Sequence, residues 1–360
     1  VAQLKNIGIV TGGGDCPGLN AVIRGAARNC FTRGITIWGV KNGFGGLVEN
    51  QISKLTEKDI SGILHRGGTI LGTTNRDNPF NYGIMENGTL SYKDMSGQAL
   101  ANLQERGIEA LIVVGGDGSI NIAHEFSQKG LPVVAVPKTI DNDLPGTERT
   151  FGFDTALTCA CEALDRLHTT AESHHRVMVL EVMGRYAGWI ALHSGLAGGA
   201  DCILIPEVPY KLESILAKIE SRKQHGKLFS LIVIAEGAYP LGGQITVARI
   251  VEGSAEKIRL GGVGEKLARE IEHLTGIESR CTVLGHLQRG GSPTAFDRIL
   301  ATRYGIAAVN VLISGQFGYM VALQKNEITQ VPIKEIAGQI RNVPLADLTD
   351  GKSIGICFGD

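Results

Sequence analysis

A-L-I-V-V-G-G-D-G-S at Ala110–Ser119 and L-P-V-V-A-V-P-K-T-I-D-N-D at Leu131–Asp143 decide the fold of this 360-residue chain. Each is a short run rich in Val and Ala that stops at glycine or proline and is followed by acids. Runs of this length without polar alternation read as strands covered on both faces, the habit of parallel sheets. Ser119 to Lys129 leaves room for one crossover helix. The unit is therefore βαβ, with its polar residues at the C-terminal ends of both strands, where open α/β sheets hold ligands.

The first loop combines close backbone approach with an acid. Gly115 and Gly116 carry no Cβ to keep a ligand away. Gly118 and Ser119 then open a helix whose free N–H groups favour phosphate. A carboxylate beside phosphate repels it unless a divalent cation lies between them, so Asp117 reads as a Mg²⁺ contact. A plain strand-to-helix turn is the alternative. In the second loop Asp141 and Asp143 stand at i and i+2, and repel each other unless they share a cation or a proton. Lys138 and Thr139 add a cation and a hydroxyl suited to a transferring phosphate, and one acid is available as base towards a hydroxyl. Here the alternative is an Asx-rich turn with solvated acids.

Further out, Asn6–Thr11 reads as a strand, Gly12 to Gly18 as a loop and Leu19 to Thr32 as a helix. The loop has no G-K-[S/T], and Pro17 stands where a G-x-G-x-x-G pattern needs its last glycine. It is neither a Walker loop nor a Rossmann fingerprint, but still a nest of N–H groups able to hold phosphate. Ile35–Lys41 is a second strand, followed by a glycine-rich loop carrying Phe44. Residues 78–92 read as irregular or a hairpin, Asp94 to Arg106 and Phe151 to Ala171 as helices, and Arg176–Val182 as a strand. A helix is expected over Arg185–Leu196, strands over Ile203–Ile205 and Ser230–Ala235, a helix over Gly261–Thr275, a strand over Cys281–Leu284 and a helix over Thr294–Ser314. Residues 319 to 360 read as short strands and a helix. This alternation predicts an α/β protein of two stacked three-layer α/β domains with parallel-rich sheets.

Composition narrows the function classes. A hydrophobic share of 43% and a charged share of 20% are those of a globular chain, while 49 glycines are about twice the usual ~7% share. A net charge of −1 lacks the basic surplus of a nucleic-acid binder, so anionic ligands are expected to be held by local arginines. No run of 18 apolar residues exists to span a membrane, and no signal-peptide pattern precedes the first strand. Seven irregularly spaced cysteines without C-x-x-C read as reduced thiols of a cytoplasmic protein. His174 and His175 have no further ligand at a zinc spacing.

G-G-D-G-S followed by P-K-T-I-D-N-D resembles the 6-phosphofructokinase family. The resemblance continues through T-G-G-G-D-C-P-G-L-N near the N-terminus, M-G-R-Y-A-G at Met183–Gly188 and L-G-H-L-Q-R-G-G-S-P at Leu284–Pro293, and extends to about residue 325. It implies MgATP on a domain of residues 1–151 plus 288–338, and fructose 6-phosphate on a domain of 152–287 plus 339–360. Gly14, Phe44, Arg76, Asp117, Gly118, Ser119 and Lys138 then correspond to nucleotide-side positions. Phe44 is placed where relatives hold an aromatic against the base; from the sequence alone a plain core phenylalanine is equally consistent. Asp141 is implied as the base for the sugar 1-hydroxyl, with Asp117 and Asp143 supporting Mg²⁺ and charge. Thr139, Arg76 and Gly14 are implied at the transferring phosphoryl group, Arg76 being assigned the bridging role although simple register puts Asn75 there. The sugar side corresponds to Arg176, Met183, Gly184, Arg185, Glu236, Arg280, His286 and Arg289. In relatives the residues matching Arg176 and Arg280 reach across from a neighbouring subunit, which implies a homotetramer.

The phosphoryl donor is read from two positions. ATP-using relatives have glycine after the G-G-D aspartate, where pyrophosphate-using relatives commonly have a second aspartate; Gly118 fits ATP. Many ATP enzymes have glycine before T-I-D-N-D and pyrophosphate enzymes lysine; Lys138 fits pyrophosphate. Steric room decides for ATP, with pyrophosphate the alternative. Arg24, Arg28 and Asp201 resemble phosphate and magnesium contacts of the bacterial allosteric site, but Glu57 and His168 depart from it. Among rivals, NAD kinase and diacylglycerol kinase share G-G-D-G yet lack T-I-D-N-D and the sugar-phosphate segments. A nicotinamide-dependent oxidoreductase would need the missing Rossmann fingerprint. A non-catalytic nucleotide-sensing subunit should have lost Asp141 or the arginines.

Overall fold

The computed structural model describes residues 4–86, 88–250 and 258–360. In chain order its strands are β1 (Asn6–Thr11), β2 (Thr36–Val40), β3 (Ile52–Lys54), β4 (Tyr82–Glu86), β5 (Thr89–Lys93), β6 (Ala110–Gly115), β7 (Val133–Pro137), β8 (Val177–Val182), β9 (Cys202–Leu204), β10 (Ser230–Ala235), β11 (Val247–Ile250), β12 (Ile258–Leu260), β13 (Ser279–Val283), β14 (Tyr319–Gln324) and β15 (Glu327–Pro332). Seven strands form one sheet in the order β15-β14-β7-β6-β1-β2-β3, and four form a second in the order β13-β8-β10-β9. The second sheet is wholly parallel. The first is parallel from β14 to β2 and closes at both edges with an antiparallel strand. β6, β7, β8 and β10 are buried at every residue, which is why their sequences run apolar without alternation. β4 and β5 pair as the hairpin expected near residues 78–92, of which Asn87 lies outside the described residues.

Among the described residues the α-helices are α1 (Leu19–Phe31), α2 (Phe44–Val48), α3 (Ser96–Glu105), α4 (Asp117–Gln128), α5 (Phe153–His174), α6 (Trp189–Ala197), α7 (Leu212–Gln224), α8 (Val263–Thr275), α9 (Ala295–Ile313) and α10 (Thr349–Ser353). α6 corrects the expected Arg185–Leu196 helix. Gly184 (φ 139°) and Arg185 (φ 51°) take left-handed backbone that no helix can continue, and Gly188 is the residue preceding the first turn. α1 and α9 cross unusually closely because each offers a glycine. A Cβ on Gly305 would stand 2.4 Å from the Val22 carbonyl oxygen, and one on Gly25 2.7 Å from that of Thr302.

The two sheets are welded rather than merely adjacent. One hydrophobic core runs from Ile7 and Ile112 of the large sheet through α1, α5, α6 and α9 to Leu180 and Val233 of the small one. The starts of α5 and α9 are bound to each other. Buried Asp297 accepts hydrogen bonds from the Thr155 N–H (2.8 Å) and hydroxyl (2.6 Å), and the Thr294 hydroxyl donates to Asp154 (2.6 Å).

Candidate active site

Sheet topology sets the place of the site. The chain turns from β1 to one side to make β2, and to the other to make β6, so β1 and β6 flank a switch point. The loops Gly12–Asp15, Gly116–Gly118 and Lys138–Asp143 leave the C-terminal ends of β1, β6 and β7 there. Met183–Arg185, Glu236 and His286 follow the C-terminal ends of β8, β10 and β13 in the small sheet. Between them lie two cavities, of about 420 Å³ and about 750 Å³. They share Gly13, Gly14, Thr74, Asn75, Arg185 and Arg289 as a common wall.

Backbone builds the smaller cavity. Gly12 N–H donates to the Val114 carbonyl (2.9 Å) and Gly13 N–H to that of Thr74 (3.0 Å). The Thr73 hydroxyl holds the Gly13 carbonyl (2.7 Å), and the Lys138 ammonium donates to the Gly14 carbonyl. A Cβ on Gly14 would sit 2.5 Å from an Arg289 nitrogen, so only glycine lets that guanidinium lie against the loop. Ser119 is buried beneath the turn, where a Cβ on Gly115 would collide with it at 2.2 Å. Gly118 is the opposite case: nothing lies within 4 Å of where its Cβ would be. Gly116, Asp117, Lys138, Thr139 and Asp141 also line this cavity. Phe44 borders it as a core residue, 1% exposed, so the exposed stacking platform is not what folds; its ring packs against Gly12.

The acidic loop is rigidly held. Asp141 N–H donates to the Thr139 hydroxyl (3.0 Å), and the Thr150 hydroxyl donates to the Thr139 carbonyl (2.7 Å). Asn142, left-handed at φ 53°, accepts from the Thr150 N–H (3.0 Å). Asp141 is buried, and its Oδ1 has no hydrogen-bond partner among the described residues. Burial, and then the Asp141 and Asp117 charges, push the Asp143 carboxyl well above the usual carboxylate range. Burial and then Asp141 push Glu236 up to about 7. Buried Lys138 is lowered to about 8, chiefly by its desolvation.

Side chains build the larger cavity. Arg185 reaches across it, 3.8 Å from Asp117, while its own N–H donates to Glu236 (3.2 Å). Glu236, Met183, His286 and Arg289 line the cleft, and Arg289 donates to the Asp15 carbonyl (3.2 Å). Gly184 sits where a Cβ would meet the Ala187 carbonyl at 2.6 Å. Arg76 lines only this larger cavity, whereas Asn75 borders both.

Not every expected residue converges. Arg176 precedes β8, ~20 Å by strand rise from the cleft end of that strand, and Arg280 is the second residue of β13, ~10 Å from the cleft end of its own. Both pair with Glu278, at 2.8 Å and 2.5 Å. Asp201 is engaged internally by Arg222 (2.5 Å) and the Leu231 N–H (2.9 Å), and Arg28 lies 3.9 Å from Glu57.

The structure also adds residues. Buried Gln288 accepts from the Met183 N–H (2.8 Å) and fixes the acceptor loop. Asn121, Ile122 and Glu125 share a face of α4 with Gly118 and line the smaller cavity. Their spacing of three, four and seven residues from Gly118 is the helical signal that would have found them. Among the described residues no group of three or more His, Cys, Asp or Glu side chains is placed to hold a metal.

Comparison with known proteins agrees with this arrangement. A family model described as "Phosphofructokinase" matches residues 6–312. The chain is 52% identical over 362 residues to "ATP-dependent 6-phosphofructokinase 2" of Clostridium perfringens, covering 99% of each. It is 48% identical over 340 residues to "Pyrophosphate--fructose 6-phosphate 1-phosphotransferase" of Amycolatopsis mediterranei, covering 94% of this chain and 96% of the other. The phosphofructokinase structure from Saccharomyces cerevisiae superposes with a TM-score of 0.80 at 31% identity, over 92% of this chain but 45% of the yeast chain. The chain belongs to the phosphofructokinase family.

Proposed function

We propose that the chain is an ATP-dependent 6-phosphofructokinase, transferring the γ-phosphoryl of MgATP to the 1-hydroxyl of fructose 6-phosphate, a step of glycolysis. The observation that supports it most is the buried, unpartnered Oδ1 of Asp141 in a cavity that shares a wall with a second one lined by cations. A carboxylate oxygen with no internal partner is available to take a hydroxyl proton. Thr139 and Gly14 are assigned as the hydrogen-bond donors that charge on a transferring group needs, the Gly12 and Gly13 N–H groups being engaged by the Val114 and Thr74 carbonyls. Arg185, bonded to Glu236 and near Asp117, orients the sugar side against the donor side. Arg76 is assigned to the phosphoryl group from the sugar side, with Asn75 at the junction.

The donor set fits Mg²⁺. Asp117 is a half-exposed carboxylate at the cavity wall, and Mg²⁺ is ordinarily held by one or two carboxylates plus substrate phosphates. Bound there, the ion would neutralise charge on the phosphates.

ATP is favoured over pyrophosphate by Gly118, beyond which the cavity is open; Lys138, the residue that fits pyrophosphate, has its ammonium engaged by the Gly14 carbonyl. Arg176 and Arg280, set back from their own cleft and joined through Glu278, are assigned to a neighbour's site in a homotetramer. We place the residues of the large sheet on the nucleotide side and those of the small sheet on the sugar-phosphate side. No helix among the described residues is long and apolar enough to cross a membrane. A cytoplasmic location is assigned from the seven free cysteines. The test is phosphorylation of fructose 6-phosphate with Mg²⁺, comparing ATP and pyrophosphate at matched concentrations. Preference for ATP is expected; preference for pyrophosphate would make Lys138 the dominant residue.

A further inference from the structure

The segment that leaves the large sheet after β15 ties three elements of the cleft together. The Gly338 N–H donates to Asn121 of α4 (2.7 Å), and the Arg341 N–H to the Asp143 carbonyl of the acidic loop (2.7 Å). The Val343 N–H donates to Glu207 (2.8 Å), whose carboxylate also accepts from the Gly188 N–H (3.0 Å) just before α6. Arg341 is the centre of this strap. Its guanidinium donates to the carbonyls of Thr147 (3.3 Å) and Glu148 (3.1 Å), further along the loop that carries Asp141, and lies 3.5 Å from that of Asn142. The same group lies over the ring of Trp189, 4.2 Å from its centroid, and the Trp189 Nε1–H returns a hydrogen bond to the Arg341 carbonyl (2.9 Å). Trp189 is buried and opens α6, four residues after Arg185.

A planar fork of donors that also stacks on an aromatic face can satisfy several carbonyls and the ring at once, which a lysine ammonium cannot. One side chain therefore joins the loop of the proton acceptor, from the large sheet, to the helix that follows the acceptor-side loop Met183–Gly188, from the small sheet. Thr139 and Thr150 hold the start of the acidic loop, and Arg341 holds its far end. We propose that Arg341 is a positioning residue for phosphoryl transfer, setting Asp141 against the acceptor-side loop; this role rests on the function proposed above. Arg341 lines neither cavity, so it acts on the rate rather than on binding.

The experiment measures steady-state kinetics, calorimetric binding of both substrates and Tm for the full-length wild type, Arg341→Ala, Arg341→Lys, Trp189→Phe, and Asp141→Ser with and without Arg341→Ala. A reacting group misplaced by ~1 Å costs about a hundredfold, so Arg341→Ala is expected to lower kcat by about that factor, with KM and Kd for both substrates within about twofold of wild type. Arg341→Lys keeps a donor but not the fork and should lower kcat about tenfold; Trp189→Phe keeps a ring but not the N–H and should lower it about threefold. In the Asp141→Ser background Arg341→Ala is expected to cost less than about threefold, because the group it positions is gone. An equal loss in both backgrounds would overturn the proposal, as would a lowered Tm with kcat within about twofold of wild type. If Arg341→Ala is unfolded at the assay temperature, Arg341→Lys decides by the same kcat threshold. A wild type that phosphorylates fructose 6-phosphate beside unaffected variants removes this proposal alone; a wild type that does not phosphorylate it removes the kinase reading and the proposal with it.

Discussion

The two halves of the cleft are built from different materials. The donor side is backbone: three consecutive glycines after β1, a glycine-flanked aspartate at the start of α4, and carbonyls held by Thr73 and Lys138. The acceptor side is long side chains, brought from the ends of β8, β10 and β13 and separated by as many as 106 positions, from Met183 to Arg289. Backbone donors can be offered to any phosphate, so the donor side discriminates by the space left open. Side chains discriminate by charge and reach. Substitutions should therefore act on one substrate or the other, except at the seam where Asp141 lies.

The seam gives the largest effect. Asp141→Ser removes the base and should lower kcat ~10³-fold while both substrates still bind, measured by coupled assay and calorimetry. A near-normal rate would dissolve the distinction, since the proton would then have another acceptor.

Gly118→Asp probes the donor side alone. The new carboxylate enters the open space of the smaller cavity and adds negative charge beside phosphate. kcat/KM for ATP should fall roughly a hundredfold, ~3 kcal/mol, with KM for fructose 6-phosphate unchanged. A gain in use of pyrophosphate would show that space at this one position sets the donor. Gln288→Leu probes the acceptor side alone. It removes the hydrogen bond to Met183 together with a buried amide nitrogen that has no partner among the described residues, so stability should change little. The loosened loop should raise KM for fructose 6-phosphate about five- to tenfold and leave that for ATP unchanged.

The same contrast governs what could be read from the sequence. The donor side was legible because its chemistry is contiguous: a buried strand, then G-G-D-G-S or P-K-T-I-D-N-D, exposes strand, turn and charge within one window. The βαβ unit and the parallel sheets followed from it. Phe44 was not legible, because a glycine-rich neighbourhood suits an exposed ring and a packed one equally, and only the fold puts it against Gly12. Arg185 was read as helical because the φ values of Gly184 and Arg185 arise from tertiary crowding, with the Gly237 Cβ position only 1.9 Å from the Arg185 carbonyl oxygen. Gln288 gave no local signal, since its partner Met183 lies 105 positions away.

The smallest effect compares the acids that face each other across the seam. Glu236 is raised from 4.5 to about 7 by burial and by Asp141. The folded protein then holds a proton that the unfolded chain has already released between those two values. Unfolding releases protons in that window, so stability contributed by the neutral acid is complete below about 4.5 and declines as pH rises to about 7. Glu236→Gln imitates the protonated acid and keeps an oxygen to accept from the Arg185 N–H. It should leave the unliganded protein unchanged near pH 4, stabilise it at pH 8 by ~1–3 kcal/mol, and flatten the fall of Tm with pH. Sugar binding should weaken in the same variant, because a carboxylate that costs stability when empty is useful only if a ligand hydroxyl satisfies it. If Glu236→Gln and the wild type lost stability in parallel from pH 5 to pH 8, Glu236 would be an ordinary ionised acid and the decline would belong to Asp143 on the donor side.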